Sequence, residues 1–212
     1  MKIVVLISGS GSNLQAIMDA CQSGYIAGQV VGVLSNKADA YGLVRAQQAG
    51  INTAIINHKE FATRQDFDLA MQKIIDAWQP DVVVLAGFMR ILTPAFVQHF
   101  EGKLINIHPS LLPLYKGLHT HQRVLATGDK LHGCSVHFVN AELDGGAVIA
   151  QAVLTVAANE AEQSLIQRVH KLEHIIYPLV LNWLSYGRLS YQQGLPVLDG
   201  QTLSTPMKLL FD

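Results

Sequence analysis

The sequence predicts an α/β fold: a doubly wound, mostly parallel sheet with helices on both faces and an antiparallel extension in the C-terminal half. Apolar, β-branched runs alternate with amphipathic segments through residues 1–100, and these runs are hydrophobic at nearly every position. Strands that are apolar on both faces need helices on both sides of the sheet. After residue 113 the runs become longer and alternate with polar residues, which predicts antiparallel pairing.

The first half has the signals of five strands and four helices. The predicted strands are residues 2–8, 29–36, 53–57, 81–87 and 103–108. The predicted helices are residues 13–24, 40–50, 63–78 and 93–100, with apolar residues three and four apart. Thr93 followed by Pro94 is typical of a helix N-terminus. Strand and helix therefore alternate as a parallel sheet requires.

The second half has fewer and longer elements. Residues 133–156 predict two strands around the turn "ELDGG", and residues 160–187 predict a long helix that Pro178 should kink. The segment "GRLSYQQGLPVLDGQTL" predicts a small terminal hairpin. We expect one domain over 1–212, formed by two halves, 1–100 and 101–212.

The composition narrows the class of protein. Half of the 212 residues are hydrophobic and 15% are charged, which excludes a disordered chain. A formal net charge of -1 gives no electrostatic argument for a nucleic acid or an anionic membrane as partner. The longest apolar stretch, 82–89, is too short to span a bilayer, and Cys21 and Cys134 have no motif spacing. We therefore expect a cytoplasmic protein with reduced cysteines.

A glycine-rich turn, "SGSGSN" at 8–13, lies between the first predicted strand and helix. Backbone N–H groups at such a turn bind anions, above all phosphate. A dinucleotide fingerprint would require glycine where Leu14 stands, and the lysine of a P-loop is missing. Gly9, Gly11, Ser12 and Asn13 therefore suit a single phosphate, although a plain tight turn has the same sequence.

The stretch "INIHPSLLP" ends the fifth predicted strand with Asn106 and His108 on one face. Because the carboxyl ends of parallel strands face the ligand crevice, this pair is a candidate for hydrogen bonding and proton transfer. Asp144 in "ELDGG" could favour and orient an imidazolium, and Arg90 in "FMRIL" could bind a carboxylate or a ring. Each residue has a purely structural alternative: a core histidine, an ordinary Asp-Gly turn or a surface arginine.

Further histidines raise the question of a metal. The stretch "HTH" at 119–121, together with His132 and His137, has no cysteine or acidic ligand at a matching spacing, so we expect no metal site. On the long helix, His170 and Glu173 share one face, which is either a solvated surface or a binding surface.

Six stretches taken together resemble one enzyme family: "ISGSGSNLQAI", "LSNKADAYGL", "AGFMRIL", "INIHPSLLP", "GLHTH" and "ELDGG". They are similar to the phosphoribosylglycinamide formyltransferases, the folate-dependent transformylases of purine synthesis, and the resemblance runs nearly end to end through "EHIIYPLV". It implies a transfer of the formyl group of 10-formyltetrahydrofolate, as co-substrate, to the glycinamide amine of phosphoribosylglycinamide, without a metal.

The resemblance also implies a phosphate-binding half (1–100), a catalytic and folate-binding half (101–212) and roles for individual residues. The implied catalytic residues are Asn106, His108 and Asp144. The implied ribonucleotide contacts are Gly11, Ser12, Asn13, His170, Lys171, Leu172 and Glu173, with Glu173 at the ribose. The implied folate contacts are Arg64 at the glutamate tail and Met89, Arg90, Ile91, Leu92, Asn106, Asn140, Ala141, Glu142, Leu143 and Asp144. One departure from the family pattern is Lys116 in "PLYKGLHTH", where a proline is usual, and it leaves the rigidity of that loop open.

Four other functions use parts of the same pattern. A formyltransferase acting on tRNA would be expected to carry an RNA-binding domain, and a formyltetrahydrofolate hydrolase an extra N-terminal domain, whereas the first predicted strand begins at Lys2. A non-catalytic phosphosugar- or folate-binding protein would have no need of Asn106, His108 and Asp144 together. A nicotinamide-dependent oxidoreductase is disfavoured by Leu14 and by the lack of an acidic residue ending the second strand.

Overall fold

The computed structural model describes residues 1–211 and contains two compact units, the first ending at Asn106 and the second beginning at Ile107. The strands are β1 (Lys2–Ile7), β2 (Gln29–Ser35), β3 (Asn52–Ile55), β4 (Val82–Leu85), β5 (Leu104–His108), β6 (Leu131–Phe138), β7 (Val148–Thr155), β8 (Leu189–Gln192), β9 (Leu195–Leu198), β10 (Gln201–Thr202) and β11 (Met207–Phe211). The helices are α1 (Ser12–Gln22), α2 (Tyr41–Gln48), α3 (Arg64–Trp78), α4 (Pro94–His99), α5 (Thr120–Thr127) and α6 (Glu162–Ser185).

In the first unit the strands are parallel and lie in the order β5-β4-β1-β2-β3. Strand β1 is fully buried from Ile3 to Ile7, and all four residues of β4 are buried. Helices α1 and α3 contact β2, and α2 contacts both β2 and β3. The central strands are thus covered on both faces, which explains why they are apolar at every position.

In the second unit β6 and β7 form a long antiparallel pair, and α6 packs against both strands. Strand β11 pairs with β7 in parallel, and β8, β9 and β10 form a separate antiparallel sheet. With β5, in which the division between the units falls, the strand order of the main sheet is β11-β7-β6-β5-β4-β1-β2-β3. The predicted fold class, a mostly parallel sheet with helices and an antiparallel extension, is confirmed.

Several elements differ from the sequence prediction. The predicted terminal hairpin is formed by β8 and β9, and β10 adds a third strand to it. Strand β11 was not predicted: it joins the main sheet by its backbone, a contact without a residue-type signature. Helix α5 and a short 3-10 helix, His58–Glu60, were not predicted, since neither has the apolar length that makes a helix recognisable. Helix α6 continues through the buried Pro178. Among the described residues, no helix is both long and apolar enough to cross a membrane.

Candidate active site

The carboxyl end of β5 places His108 beside Asp144. The His108 Nδ1 lies 3.5 Å from Asp144 Oδ2, and the two side chains are only 8% and 9% exposed. Asp144 comes from the turn between β6 and β7, so elements distant in sequence build the pair. A buried carboxylate beside a histidine fixes the orientation of the ring and interacts strongly with a positive charge on it.

The second nitrogen of His108 is also engaged. Its Nε2 lies 2.9 Å from the backbone carbonyl oxygen of Tyr115, which can only accept a hydrogen bond, so Nε2 carries the proton. Both ring nitrogens of His108 therefore face acceptors, a carbonyl and a carboxylate.

Backbone geometry holds Asp144 in place. Its Oδ2 accepts a hydrogen bond of 2.8 Å from the Gly117 N–H, and its φ of 48° is in the left-handed region, which aspartate tolerates better than most residues. Two residues later, a Cβ on Gly146 would lie 1.7 Å from the carbonyl oxygen of Phe138. Glycine is therefore required there for the turn that presents Asp144.

His137 lies behind this pair and is 2% exposed. Its Nδ1 donates to the Phe138 carbonyl at 2.9 Å, and its Nε2 is 3.9 Å from Asp144 Oδ1. Burial lowers the pKa of His137, although the Phe138 hydrogen bond and Asp144 act in the opposite direction. We interpret His137 as a neutral core histidine that packs against the carboxylate.

Lys116 connects two loops of the second unit. Its Nζ forms an ion pair of 2.6 Å with Glu142 Oε1 in the turn that carries Asp144. The same turn is tied internally by Asn140, whose Oδ1 accepts from the Glu142 N–H at 3.0 Å and whose Nδ2 donates to the Gly145 carbonyl at 3.2 Å. Lys116 thus connects its loop to the turn that carries Asp144 through its side chain.

In the first unit, the glycine-rich turn leads directly into α1. Gly11 has a φ of 70°, and a Cβ there would lie 2.6 Å from the Cα of Gly42, so the turn can pack on α2 only with glycine. No side-chain hydrogen bond caps α1 at Gly11. Because the first amides of a helix have no intrahelical acceptor, this turn can bind an anion at Ser12 and Asn13.

The segment Met89–Leu92 follows β4 and exposes apolar side chains. Met89 is 62% exposed and Ile91 is 56% exposed, whereas the Nε of Arg90 is buried without a hydrogen-bond partner among residues 1–211. An unsatisfied buried guanidinium N–H is a donor available for a ligand. Arg64 is exposed at the first position of α3.

The other predicted contacts have mixed exposure. Asn106 is half-buried two residues before His108 and is in register with Leu85 of β4. On α6, His170 and Lys171 are exposed, whereas Leu172 and Glu173 are buried. Glu173 is near enough to Cys134 to raise the pKa of that thiol, after burial as the larger cause. Because its side chain is buried, Leu172 belongs to the core of the second unit.

Two other histidines pair away from Asp144. His132 Nε2 lies 3.0 Å from His121 Nδ1, so one nitrogen donates and the other accepts. Burial is the largest cause that lowers the pKa of each ring to about 4. In the part of the chain that the structure describes, no group of three or more His, Cys, Asp or Glu side chains could hold a metal ion.

Sequence reasoning missed two contributors to the surroundings of His108. The Tyr115 carbonyl and the Gly117 N–H act through the backbone, which has no residue-type signature. The one sequence signal for Gly117 was that a glycine in the loop "GLHTH" can adopt a positive φ, as Gly117 does.

Comparisons with known proteins agree on one family. A family model described as formyl transferase matches residues 1–181. The chain is 57% identical over 203 residues to the phosphoribosylglycinamide formyltransferase of Escherichia coli, covering 96% of each chain. It is 50% identical over 202 residues to that of Haemophilus influenzae, covering 95% of each. A solved phosphoribosylglycinamide formyltransferase of Coxiella burnetii has a TM-score of 0.95 and 53% identity over 99% of both chains. The chain belongs to the phosphoribosylglycinamide formyltransferase family.

Proposed function

We propose that this enzyme transfers the formyl group of 10-formyltetrahydrofolate to the glycinamide amine of phosphoribosylglycinamide, a step of purine biosynthesis. The observation that carries the proposal is the buried His108–Asp144 pair at the end of β5, in a chain that is 57% identical to a relative with this name. Asn106, His108 and Asp144 are the catalytic residues.

The reaction begins when the lone pair of the glycinamide amine attacks the formyl carbon. A C–N bond forms, the carbonyl π electrons move to the formyl oxygen, and a tetrahedral oxyanion results. The proton that the amine then loses reaches N10 of the folate, directly or through water. The C–N10 bond breaks, the carbonyl re-forms, and the products are formylglycinamide ribonucleotide and tetrahydrofolate, with no covalent bond to the enzyme.

The enzyme accelerates this sequence by stabilising the oxyanion. Asn106 and His108 donate hydrogen bonds to the formyl oxygen, which are strongest when that oxygen is negatively charged. Because Nδ1 of His108 faces Asp144, the donor is Nε2, which exchanges its acceptor from the Tyr115 carbonyl to the formyl oxygen. Asp144 keeps the ring oriented and interacts favourably with its positive form.

The remaining predicted residues bind the two substrates and position them. Holding two reactants in the orientation of the reaction supplies a large part of the reduction in the activation barrier. The ribonucleotide contacts are Gly11, Ser12 and Asn13 at the phosphate and His170, Lys171, Leu172 and Glu173 on α6. Of these, Leu172 is the weakest candidate for a side-chain contact because it is buried. The folate contacts are Arg64 at the glutamate tail, Met89, Arg90, Ile91 and Leu92 after β4, Asn106, and Asn140, Ala141, Glu142, Leu143 and Asp144 in the turn after β6.

No metal and no nucleic acid or membrane partner enters this proposal, and both substrates are small molecules. The cysteines, Cys21 and Cys134, are free, which fits the reducing cytoplasm. We therefore assign the activity to that compartment.

The test is an absorbance assay with 10-formyltetrahydrofolate, with and without phosphoribosylglycinamide, in the presence of a chelator. We expect deformylation that depends on the ribonucleotide and yields a formylated product. Loss of the formyl group without the ribonucleotide would instead indicate a hydrolase. Binding of both ligands without turnover would indicate a non-catalytic phosphosugar- or folate-binding protein.

A further inference from the structure

We propose that Ser8 and Asp68 are positioning residues that fix the two ends of the segment 89–93 and so hold Met89–Leu92 ready for the folate. The inference rests on the proposed function, which assigns this segment to the formyl donor. Neither residue contacts the reacting atoms in that proposal.

Ser8 holds the first end of the segment. Its Oγ accepts a hydrogen bond of 2.8 Å from the Met89 N–H and donates one of 2.6 Å to Asn36 Oδ1. Ser8 is 4% exposed and Asn36 is 2% exposed, so these bonds are shielded from water. The three residues follow the neighbouring strands β4, β1 and β2, whose carboxyl ends they connect. Ser8 also directly precedes Gly9 of the glycine-rich turn.

Asp68 holds the second end. Its Oδ2 accepts a hydrogen bond of 2.6 Å from the Thr93 N–H, and the side chain is 2% exposed on α3. Thr93 is itself buried and caps α4 through its Oγ1, which accepts from the Phe96 N–H at 3.4 Å. The end of the segment at Thr93 therefore cannot move relative to α3 without breaking the buried hydrogen bond from the Thr93 N–H to Asp68.

Burying the Asp68 carboxylate is energetically unfavourable, which suggests that the residue has a role other than stabilising the fold. Its Oδ1 is buried without a hydrogen-bond partner in residues 1–211. A half-satisfied buried carboxylate is unfavourable, and such a group calls for an explanation. Asp68 lies four residues after Arg64, on the same side of α3. One side chain thus ties the turn that carries Arg64 to the segment that carries Arg90, the two arginines assigned to the folate.

The test compares Asp68→Ala and Ser8→Ala with Asp68→Asn in the full-length enzyme. The alanine variants lose the acceptor for a backbone N–H, and we expect the KM for 10-formyltetrahydrofolate to rise roughly tenfold, since displaced binding groups are costly. The KM for the ribonucleotide should stay within about twofold in Asp68→Ala. Asp68→Asn keeps an oxygen acceptor and should restore the KM for the formyl donor.

The matched control is Asp76→Ala. Asp76 also links α3 to α4, through His99 Nε2 at 3.0 Å, but it lies at the far end of the helix. It should lower Tm and leave both KM values unchanged. Parallel rises in the two KM values of Asp68→Ala, or unchanged KM values despite a lower Tm, would overturn the proposal, as would an Asp68→Asn variant no better than alanine.

Hydrogen exchange separates this inference from the proposed function. The amides of Met89 and Thr93 should exchange at least tenfold faster in Ser8→Ala and Asp68→Ala respectively, and at the wild-type rate in Asp76→Ala. Unchanged exchange in the alanine variants would refute the positioning role whatever the activity. A wild-type enzyme that transfers no formyl group would refute the proposed function, and the exchange rates would still decide whether the segment is held.

Discussion

His108 and Asp144 form a buried pair in which Nδ1 lies 3.5 Å from Oδ2, and the same carboxylate oxygen accepts the Gly117 N–H at 2.8 Å. The carboxylate is therefore held by backbone before any substrate arrives. A preorganised charge is worth more to catalysis than one that must reorganise during the reaction. Substitutions of Asp144 and His108 therefore provide two tests of the proposed mechanism.

Asp144→Asn separates the charge of Asp144 from its shape. Asparagine keeps an oxygen that can accept the Gly117 N–H, but it removes the negative charge beside His108. We expect kcat to fall roughly 10²–10³-fold, the range seen when one oxyanion donor is lost, with a Tm near that of the wild type. Steady-state kinetics and thermal unfolding measure both. An Asn variant with near-normal kcat would show that orientation by the backbone suffices.

A double-mutant cycle tests whether His108 and Asp144 act as a unit. His108→Ala removes the proposed oxyanion donor, so kcat should fall by orders of magnitude while the ribonucleotide still binds. If Asp144 acts through His108, adding Asp144→Ala to His108→Ala should cost little more. Single-turnover rates and ribonucleotide titration of the three variants provide the measurement. Additive losses would mean that Asp144 contributes independently of the ring.

The sequence and the structure agree where side-chain chemistry or hydrophobic pattern decides. Strand β1 could be predicted because it is apolar throughout, and Asp144 because an acidic residue before two glycines indicates a turn. The engagement of His108 Nε2 by the Tyr115 carbonyl could not be predicted, since every residue has a carbonyl. Strand β11 was missed for a related reason: it has an exposed leucine at Leu210, and only its backbone pairing with β7 makes it a strand.

Gly146→Ala should damage the turn that presents Asp144. The added Cβ would lie 1.7 Å from the Phe138 carbonyl oxygen, so the backbone must move. We expect a large loss of kcat together with a lower Tm. Gly128→Ala is the control: its φ of 73° makes alanine unfavourable there and should also lower Tm, but its Cβ would meet no atom within 4 Å and it lies at the end of α5. Equal effects of the two substitutions on kcat would contradict this account of the turn.

Acid should destabilise the fold through the His121–His132 pair. Each folded pKa is lowered from 6.5 to about 4, chiefly by burial. Between these values the unfolded chain binds more protons than the folded one, so the free energy of unfolding falls as the pH decreases from 6.5 towards 4. Protonation of both rings would also place two donors against each other across the 3.0 Å contact. Urea unfolding at a series of pH values measures the slope.

His132→Gln isolates this contribution. Glutamine does not titrate and can still hydrogen-bond to His121, so the variant should show a shallower loss of stability between pH 6.5 and 4, even if it is less stable at pH 7. His119→Asn is the matched control: His119 is exposed, and its φ of 58° suits asparagine. It should keep the wild-type slope. A His132→Gln slope equal to that of the wild type would place the acid sensitivity in other groups, of which His137 is the first candidate because burial lowers its pKa as well.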